Sequence, residues 1–200
     1  MGQIRAIDHE HEEITLEHLR IIQRLVWQGP QKWAAPEGRV LIEETRTLDI
    51  RPGKKVNLID IRSRLCATEW PLALGPTRGT RSFGVRMTEA FTARHGAILR
   101  DLEHQGTASV NGRISDWLDY SGTLGSDVRA GVALFPHPST AGHPWHATDW
   151  GVLNVNPLAE KACSLLPGGE LEFGLRVVVH NGDADEAGIP ELYQEFIDTV

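Results

Sequence analysis

Three histidines stand close together in the stretch HPSTAGHPWHATDWGVLNVNP, residues 137–157, whose first half is too rich in proline and glycine for a helix. They are His137, His143 and His146. Neutral imidazole binds zinc or manganese and also moves protons near neutral pH. The stretch therefore predicts either a divalent metal ion held by all three rings, or acid–base catalysis by His137 and His146. Their spacing matches no closed metal motif such as HExxH, so structural hydrogen bonding of the rings stays open.

Aromatic and polar side chains in and near the same stretch are typical of a sugar site. An exposed indole such as Trp145 can cover the apolar face of a pyranose, while Asp149 and Asn156 bond its hydroxyls. Trp145 fits a position in the core equally well. Upstream, Arg86 in the segment GTRSFGVR has the bidentate geometry to hold a ligand carboxylate or a buried acid.

Several reaction classes lack their sequence signals. Asp116 and Asp119 in RISDWLDYSG are three residues apart, so in a strand they point to opposite faces and do not form a glycosidase pair. The chain has no GxSxG nucleophile elbow. It also has no glycine-rich loop that leads into a helix, which argues against a phosphate cradle.

Composition excludes two kinds of partner and suggests a compartment. The 200 residues carry a net charge of −7, whereas a nucleic-acid binder needs a basic face. No apolar run approaches the ~18 residues of a membrane span, and no apolar signal-peptide core follows Met1. The two cysteines, Cys66 and Cys163, form no disulfide framework, which favours a reducing cytoplasm.

Alternating apolar and polar residues recur along most of the chain. Residues 38–50 and 56–68 alternate on either side of the turn RPGKK and predict an antiparallel hairpin. Residues 171–179 alternate as well, and Asn111-Gly112 indicates a second hairpin turn. The acidic segment DHEHEEITLEH predicts a solvated edge, and the tail PELYQEFIDTV a short helix. We expect an all-β protein, one antiparallel β-sandwich domain over residues 1–200 with a short C-terminal helix.

An ordered set of fragments resembles the PmoA-like domain family, a family of unknown function long labelled "methane oxygenase". The fragments are LVWQGPQ…GRVLIEETRTLDI, GTRSFGVRM, DWLDYSG, GVALFPHPSTAGHPWHATDWGVLNVNPLA and LPGGELEFGLRVVVHNGDAD. The resemblance implies a galactose-mutarotase-like supersandwich. Its matching positions are His137, Pro138, His143, Trp145, His146, Asn156, Pro157, Arg86 and His180. The label itself fails, because a bilayer subunit needs a spanning segment.

The same resemblance implies that the N-terminal part of that domain, with its DHPHHRG-type motif, is missing here. A missing strand leaves an open sheet edge, so we expect a homo-oligomer or a partner subunit that covers it.

Three hypotheses about function remain at this level. The leading one is a protein that binds a sugar-like, polyhydroxylated small molecule and transforms it by proton transfer, as an epimerase or lyase does. In it His137 and His146 are the acid–base groups, Trp145 is the stacking platform, and Arg86, Asn156, Asp149 and His180 bind the ligand. The alternatives are a non-catalytic assembly subunit and a metal-dependent enzyme that uses His137, His143 and His146.

Overall fold

Strands dominate the computed structural model, which describes residues 2–33, 38–76, 83–125, 128–159 and 161–200. The strands are β1 Gln3–Ile14, β2 Leu19–Gln28, β3 Val40–Arg51, β4 Val56–Ala67, β5 Leu72–Leu74, β6 Phe83–Arg86, β7 Ile98–Arg100, β8 Leu118–Leu124, β9 Val128–Pro136, β10 Trp145–Ala147, β11 Val152–Val155, β12 Cys163–Leu165 and β13 Glu170–Asn181. The helices are α1 Thr107–Val110 and α2 Ile189–Ile197. Short 3-10 turns cover Gln31–Trp33, Glu89–Phe91 and Ala93–His95.

The strands form one large sheet and two small ones, all antiparallel. The large sheet has the order β1-β2-β3-β4-β13-β9-β8-β7, and the small sheets have the orders β10-β11-β6 and β12-β5. The prediction of an all-β antiparallel sandwich with a short C-terminal helix is confirmed. The hairpin expected around the turn RPGKK is β3–β4, in which Ile42 pairs with Ala67 and Arg51 pairs with Leu58.

The inner face of the large sheet packs on the small sheets and forms the main core. Side chains alternate along a strand, so Leu175 and Val177 of β13 point to this face together with Leu134 of β9. From the small sheet they meet Trp145 and Leu153, both at most 1% exposed. Burial of these apolar surfaces, at roughly 25 cal/mol per Å², is what holds the two layers together.

The outer face of the large sheet is only partly covered. Helix α2 lies over β9, the C-terminal half of β13 and the start of β4, where Phe196 packs on Phe135 and Val178 belongs to the same cluster. The gap between Phe135 and Phe196 ring centroids is 5.8 Å. Towards β2, β3 and β4 the outer face carries charged and hydroxyl-bearing side chains instead. These side chains line two adjoining grooves on this face.

Two local predictions need correction or refinement. Asn111-Gly112 is not a hairpin turn: it follows α1, and Gly112 there donates its N–H to the carbonyl of Trp145 while the Asn111 amide oxygen accepts from Ala147 N–H. The dipeptide does form a turn, as its residue types favour, but this turn is hydrogen-bonded to β10 and does not join two neighbouring strands. The acidic segment, residues 8–18, forms the second half of the edge strand β1 and the turn into β2, and its residues 8, 9 and 14–17 are exposed.

The open edge of β1 carries bulges between Ala6 and Asp8 and between His11 and Glu13. Bulges and charges on an edge oppose pairing with another sheet. The expected homo-oligomer or partner subunit over this edge stays a prediction. Among the residues that the structure describes, none of the helices has the length and apolar character to cross a bilayer.

Candidate functional site

Strand register arranges the open part of the outer face in three rows of side chains that run across the strands. The middle row is Gly174 of β13, Arg62 of β4, Thr47 of β3 and Ile22 of β2. Residues two positions away on the same strand face the same side, at about 6.6 Å, so a polar row lies on each flank. One flank is Glu172, Arg64, Thr45 and Arg24; the other is Arg176, Asp60, Asp49 and Arg20.

We call this surface the Arg62 groove, because Arg62 and Thr47 line both of its two parts. The part near His137 has a volume of about 370 Å³, and the part near Asp49 about 680 Å³. Both lie in the range of about 300–1,000 Å³ that small-molecule sites occupy. Five arginines and three side-chain carboxylates line the groove, and Glu170 beside it pairs with one of the arginines, so the side chains leave one positive charge in excess in a chain whose net charge is −7. The groove is therefore a locally positive surface that favours an anionic ligand.

Among the arginines that line the groove, Arg62 is the one with no carboxylate partner in the part of the chain that the structure describes. Its side chain is exposed, and it has no hydrogen bond or ion pair with any residue in the described ranges. The neighbouring Arg64, by contrast, pairs with Glu170 at 3.1 Å. A free guanidinium presents its planar donor pairs to solvent, in the geometry that holds a carboxylate with two parallel hydrogen bonds.

His137 forms one wall of the groove and lies across Gly174. A β-carbon added to Gly174 would stand 2.6 Å from the His137 Cβ, so only glycine allows this approach. The backbone fixes the arrangement: His137 N–H donates to the Gly174 carbonyl at 3.0 Å, and Gly174 N–H donates to the Thr140 hydroxyl oxygen at 2.8 Å. The imidazole is therefore held close to Arg62 by β13 and by the loop after β9.

Replacing Gly174 by alanine is expected to displace His137. The new methyl group overlaps the imidazole stem, and overpacking of this kind costs about 1–3 kcal/mol of unfolding free energy. Urea unfolding of Gly174→Ala measures that loss. If the variant were as stable as the parent protein, the contact between Gly174 and His137 would not be as close as described.

Hydrogen bonds of the His137 ring fix which nitrogen carries its proton. The backbone N–H of Ser139 lies 3.3 Å from Nδ1, and the Ser139 hydroxyl lies 3.1 Å from the same atom. A backbone N–H can only donate, so Nδ1 accepts and the neutral ring carries its proton on Nε2. His137 is then a hydrogen-bond donor to a ligand in the groove, rather than a base at Nε2.

Burial lowers the pKa of His137 below its usual value, and the nearby Arg62 cation lowers it as well. Glu172 and Asp60 raise it, but by less. The ring is therefore neutral at pH 7.

This shift predicts a pH-dependent stability that belongs to His137. Because the folded protein binds the proton less tightly than the unfolded chain, the free energy of unfolding falls as pH drops through the ordinary histidine value towards the folded pKa. Urea unfolding of the parent protein and of His137→Gln, between about pH 5 and 7.5, measures the difference. We expect the parent protein to lose stability relative to His137→Gln on acidification; a constant difference would contradict the account.

Two ion-pair networks fix the flank of the groove that faces α2. Arg176 is 8% exposed and donates from Nε and Nη2 to the two carboxylate oxygens of Asp60, at 2.6 and 2.8 Å. Arg51 binds the same carboxylate. The Arg176 guanidinium also lies 4.5 Å from the Phe196 ring centroid, which links the network to α2. These contacts make the flank a rigid surface.

Asp49 forms the second network. Arg20 donates to the two carboxylate oxygens of Asp49 from Nε and Nη2, at 2.8 and 3.0 Å. Nε2 of His18 lies 2.9 Å from Oδ1 of the same carboxylate. Burial alone would raise the pKa of Asp49, but the hydrogen bonds from Arg20 and His18 outweigh burial and lower the pKa. Asp49 is thus a fixed carboxylate, able to accept from ligand hydroxyl groups.

The three predicted histidines do not meet in one cavity. His146 lies on β10 between Trp145 and Ala147, which both point into the core, so its ring points to the opposite side of the small sheet. His137 is on the outer face of the large sheet, with the whole core between the two rings. His143 is half-buried in the connecting loop. In the described ranges no three histidine, cysteine or acidic side chains are grouped closely enough to hold a metal ion.

Trp145 is not available as a stacking platform. Its side chain is 1% exposed within the core, and its indole N–H donates to the Ser115 carbonyl at 3.0 Å. The alternative of a core position, which the sequence left open, is the one that the structure shows. The physical reason is the strand alternation of β10, which turns this indole inwards.

The other predicted ligand residues lie apart from the Arg62 groove. Arg86 is exposed on β6, with its guanidinium 5.2 Å from the Trp150 ring centroid. Asp149 is exposed and pairs with Arg94 at 2.9 Å, and this hydrogen bond lowers the pKa of Asp149. Asn156 is 2% exposed and accepts the N–H of Leu158 in a turn.

His180 is buried rather than open to a ligand. Its Nε2 lies 2.7 Å from Asp119 Oδ1, and both side chains have no exposed surface. A β-carbon on Gly131 would stand 2.3 Å from the ring, so the strand beside it is also closely packed. The pair links β8 to β13 across β9.

The family of the chain follows from its match to a family model. A model described as "Family of unknown function (DUF6807)" matches residues 1–194. The chain belongs to the DUF6807 family. The resemblance to the PmoA-like domain family is therefore wrong, and with it the inference that an N-terminal part of that domain is missing. The fragments that suggested it contain many glycine and proline residues, which recur in turns of many β proteins.

Comparisons with individual proteins give no information about function beyond the membership of the DUF6807 family. A search of curated proteins finds no match. One solved structure that matches is a galactose mutarotase related enzyme from Lactobacillus acidophilus, at 13% identity, with a TM-score of 0.31 over 86% of this chain and 71% of that chain. A score this low supports no argument about fold or ligand, so the β-sandwich assignment depends on the strands themselves.

Proposed function

We propose that this DUF6807 protein binds a small polyhydroxylated anion, a sugar acid, in the Arg62 groove. The observation that supports this most is the unpaired Arg62 guanidinium, which stands beside the His137 imidazole on a hydroxyl-bearing sheet surface. Arg62 would hold the ligand carboxylate with two hydrogen bonds. The leading sequence hypothesis of a sugar-like ligand is retained, but its place moves from the histidine-rich loop to the large sheet.

Each remaining group of the site matches a hydroxyl-rich ligand. His137 donates from Nε2, and Thr45, Thr47 and Ser139 offer hydroxyl groups that both donate and accept. Glu172 accepts from ligand hydroxyls at the end of the groove nearest His137. No aromatic platform is needed, because the ligand is fixed by its charge and by several directional hydrogen bonds.

The proton position on His137 favours binding over proton transfer. A base needs a free lone pair within reach of the ligand, and here Nδ1 is occupied by Ser139. Deuterium exchange at the carbon beside the carboxylate, followed by proton NMR in D2O, tests the epimerase or lyase hypothesis. If the protein makes this hydrogen exchange with deuterium faster than it does in the sugar acid alone, the protein is a catalyst and not only a binding protein.

Thermal unfolding with a ligand panel tests the proposal itself. The panel contains galacturonate, glucuronate and gluconate, with galactose, glucose and acetate as controls that lack either the charge or the hydroxyls. We expect at least one sugar acid to raise the melting temperature, since a ligand at 100 times its Kd adds about 2.7 kcal/mol of stability. If no sugar acid stabilises the protein more than galactose and acetate do, the proposal is wrong.

A further inference from the structure

The Arg62 groove is longer than one sugar ring. Its middle row runs from Gly174 on β13 to Ile22 on β2, which is three strand spacings, or about 14 Å. One pyranose ring is about as long as a single spacing of this kind. The two parts of the groove, of about 370 and 680 Å³, meet at Arg62 and Thr47.

The far part of the groove is also polar and rigid. Asp60 and Asp49 are both held in bidentate pairs, by Arg176 and Arg20, so their positions are fixed before any ligand arrives. Fixed carboxylates and guanidinium groups recognise hydroxyls at little entropic cost. A single sugar acid at Arg62 would fill only the part of the groove near His137. The far part, with Asp49 and Asp60, would then contact no ligand.

Among the paired side chains of the far part, arginines outnumber carboxylates. Asp60 is shared by two arginines, Arg51 and Arg176, which leaves one positive charge in excess within this group. The Arg51 side chain is 44% exposed and reaches the surface of the groove. A second acidic group on the same ligand would be attracted to it.

We propose that the groove takes a linear acidic oligosaccharide of at least two units, laid across the strands from His137 towards Ile22. This inference depends on the proposed binding of a sugar acid at Arg62, and adds a second subsite between Thr47, Asp49 and Asp60. Most of the lining residues of the far part are charged or bear a hydroxyl group, with Ile22 and Val200 as the apolar members, and directional hydrogen bonds from such groups favour a saccharide over an acidic peptide.

Chain length is the variable that tests this inference. Isothermal titration compares galacturonate, digalacturonate and trigalacturonate, with neutral maltotriose and hexaglutamate as further probes. We expect trigalacturonate to bind at least about tenfold more tightly than galacturonate, because a linked second unit binds at a high effective concentration. Equal affinity for the monomer and the trimer would overturn the second subsite and leave the proposed function standing.

The remaining outcomes are also decisive. If no sugar acid of the thermal panel and no galacturonate oligomer binds, the proposed function fails and the extended groove fails with it. Binding of another sugar acid of the panel without binding of trigalacturonate would overturn the extended groove alone. Tighter binding of hexaglutamate than of trigalacturonate would overturn the saccharide in favour of an acidic peptide, and equal binding of maltotriose would overturn the need for charge.

A bulky residue at the far end of the groove tests the place of the second unit. In Ile22→Trp the indole would fill the middle row at β2, about two strand spacings from Arg62. We expect the advantage of the trimer to disappear while the affinity for galacturonate is kept. Leu16→Trp, at a 97% exposed turn position, is the matched control and should keep both affinities. If the advantage survives in folded Ile22→Trp, the assigned subsite is wrong; the length series in the parent protein holds whether or not this variant folds.

Discussion

Arg62→Gln is expected to weaken binding of a sugar acid by about tenfold to a hundredfold, since hydrogen bonds to charged groups contribute about 1.5–3 kcal/mol. Glutamine keeps one donor pair and most of the side-chain length but removes the charge. Because Arg62 has no partner in the described ranges, its loss should leave the stability of the free protein unchanged. A loss of affinity without a loss of stability is the signature of a ligand contact.

Arg94→Gln is the matched control for that experiment. Arg94 is also an exposed arginine, but it pairs with Asp149 far from the groove. Isothermal titration with galacturonate should give the same affinity for Arg94→Gln as for the parent protein. If both variants weaken binding equally, the effect of Arg62 comes from the overall charge of the protein and not from a contact.

Asp60→Ala is expected to lower the free energy of unfolding by about 3–5 kcal/mol, which is the usual effect of leaving one member of a buried ion pair alone. Arg176 is 8% exposed and would lose both hydrogen bonds to Asp60, beside the ring of Phe196. The pair joins β4 to β13, and through Phe196 it reaches α2. Urea unfolding measures the loss, and the midpoint should fall while the slope stays unchanged.

Two variants separate the buried pair from a general effect of charge. In Asp60→Leu with Arg176→Met the whole pair is replaced by apolar side chains, so we expect most of the stability to return. Asp149→Ala removes an exposed carboxylate and should change stability little. A small effect of Asp60→Ala would mean that water reaches Arg176 and that the flank of the groove is not rigid.

The fold was predictable where alternation was long and unbroken. Strands β3, β4 and β13 each have 12 residues, and a run of that length fixes both strand type and face. The Asn111-Gly112 turn was misread because a two-residue signal is local, whereas its geometry here is set by contacts with β10. Helix α2 was readable from three apolar residues at helical spacing.

The candidate site was harder to predict, because strand register across the sheet decides it. The sequence does place Asp60, Arg62 and Arg64 on one face of β4, and that run of charges at a period of two was the available signal. It could not show that Arg62 would lack an acidic partner among the described residues, since the partners of the neighbouring charges come from other strands of the sheet. In the same way, His137 and His146 are close in sequence but the chain between them passes from one sheet to the other.

We expect the ligand to bind on the outer face of the large sheet and not at the loop that carries His143 and His146. A titration of 15N-labelled protein with galacturonate, followed by amide chemical shifts, tests it most directly. We predict that the shifts concentrate at Thr47, Arg62, Ser139 and Gly174. Shifts concentrated at His146, Asn154 and Arg86 on the small sheet, or no shifts with galacturonate, glucuronate or gluconate at high concentration, would contradict this placement of the ligand.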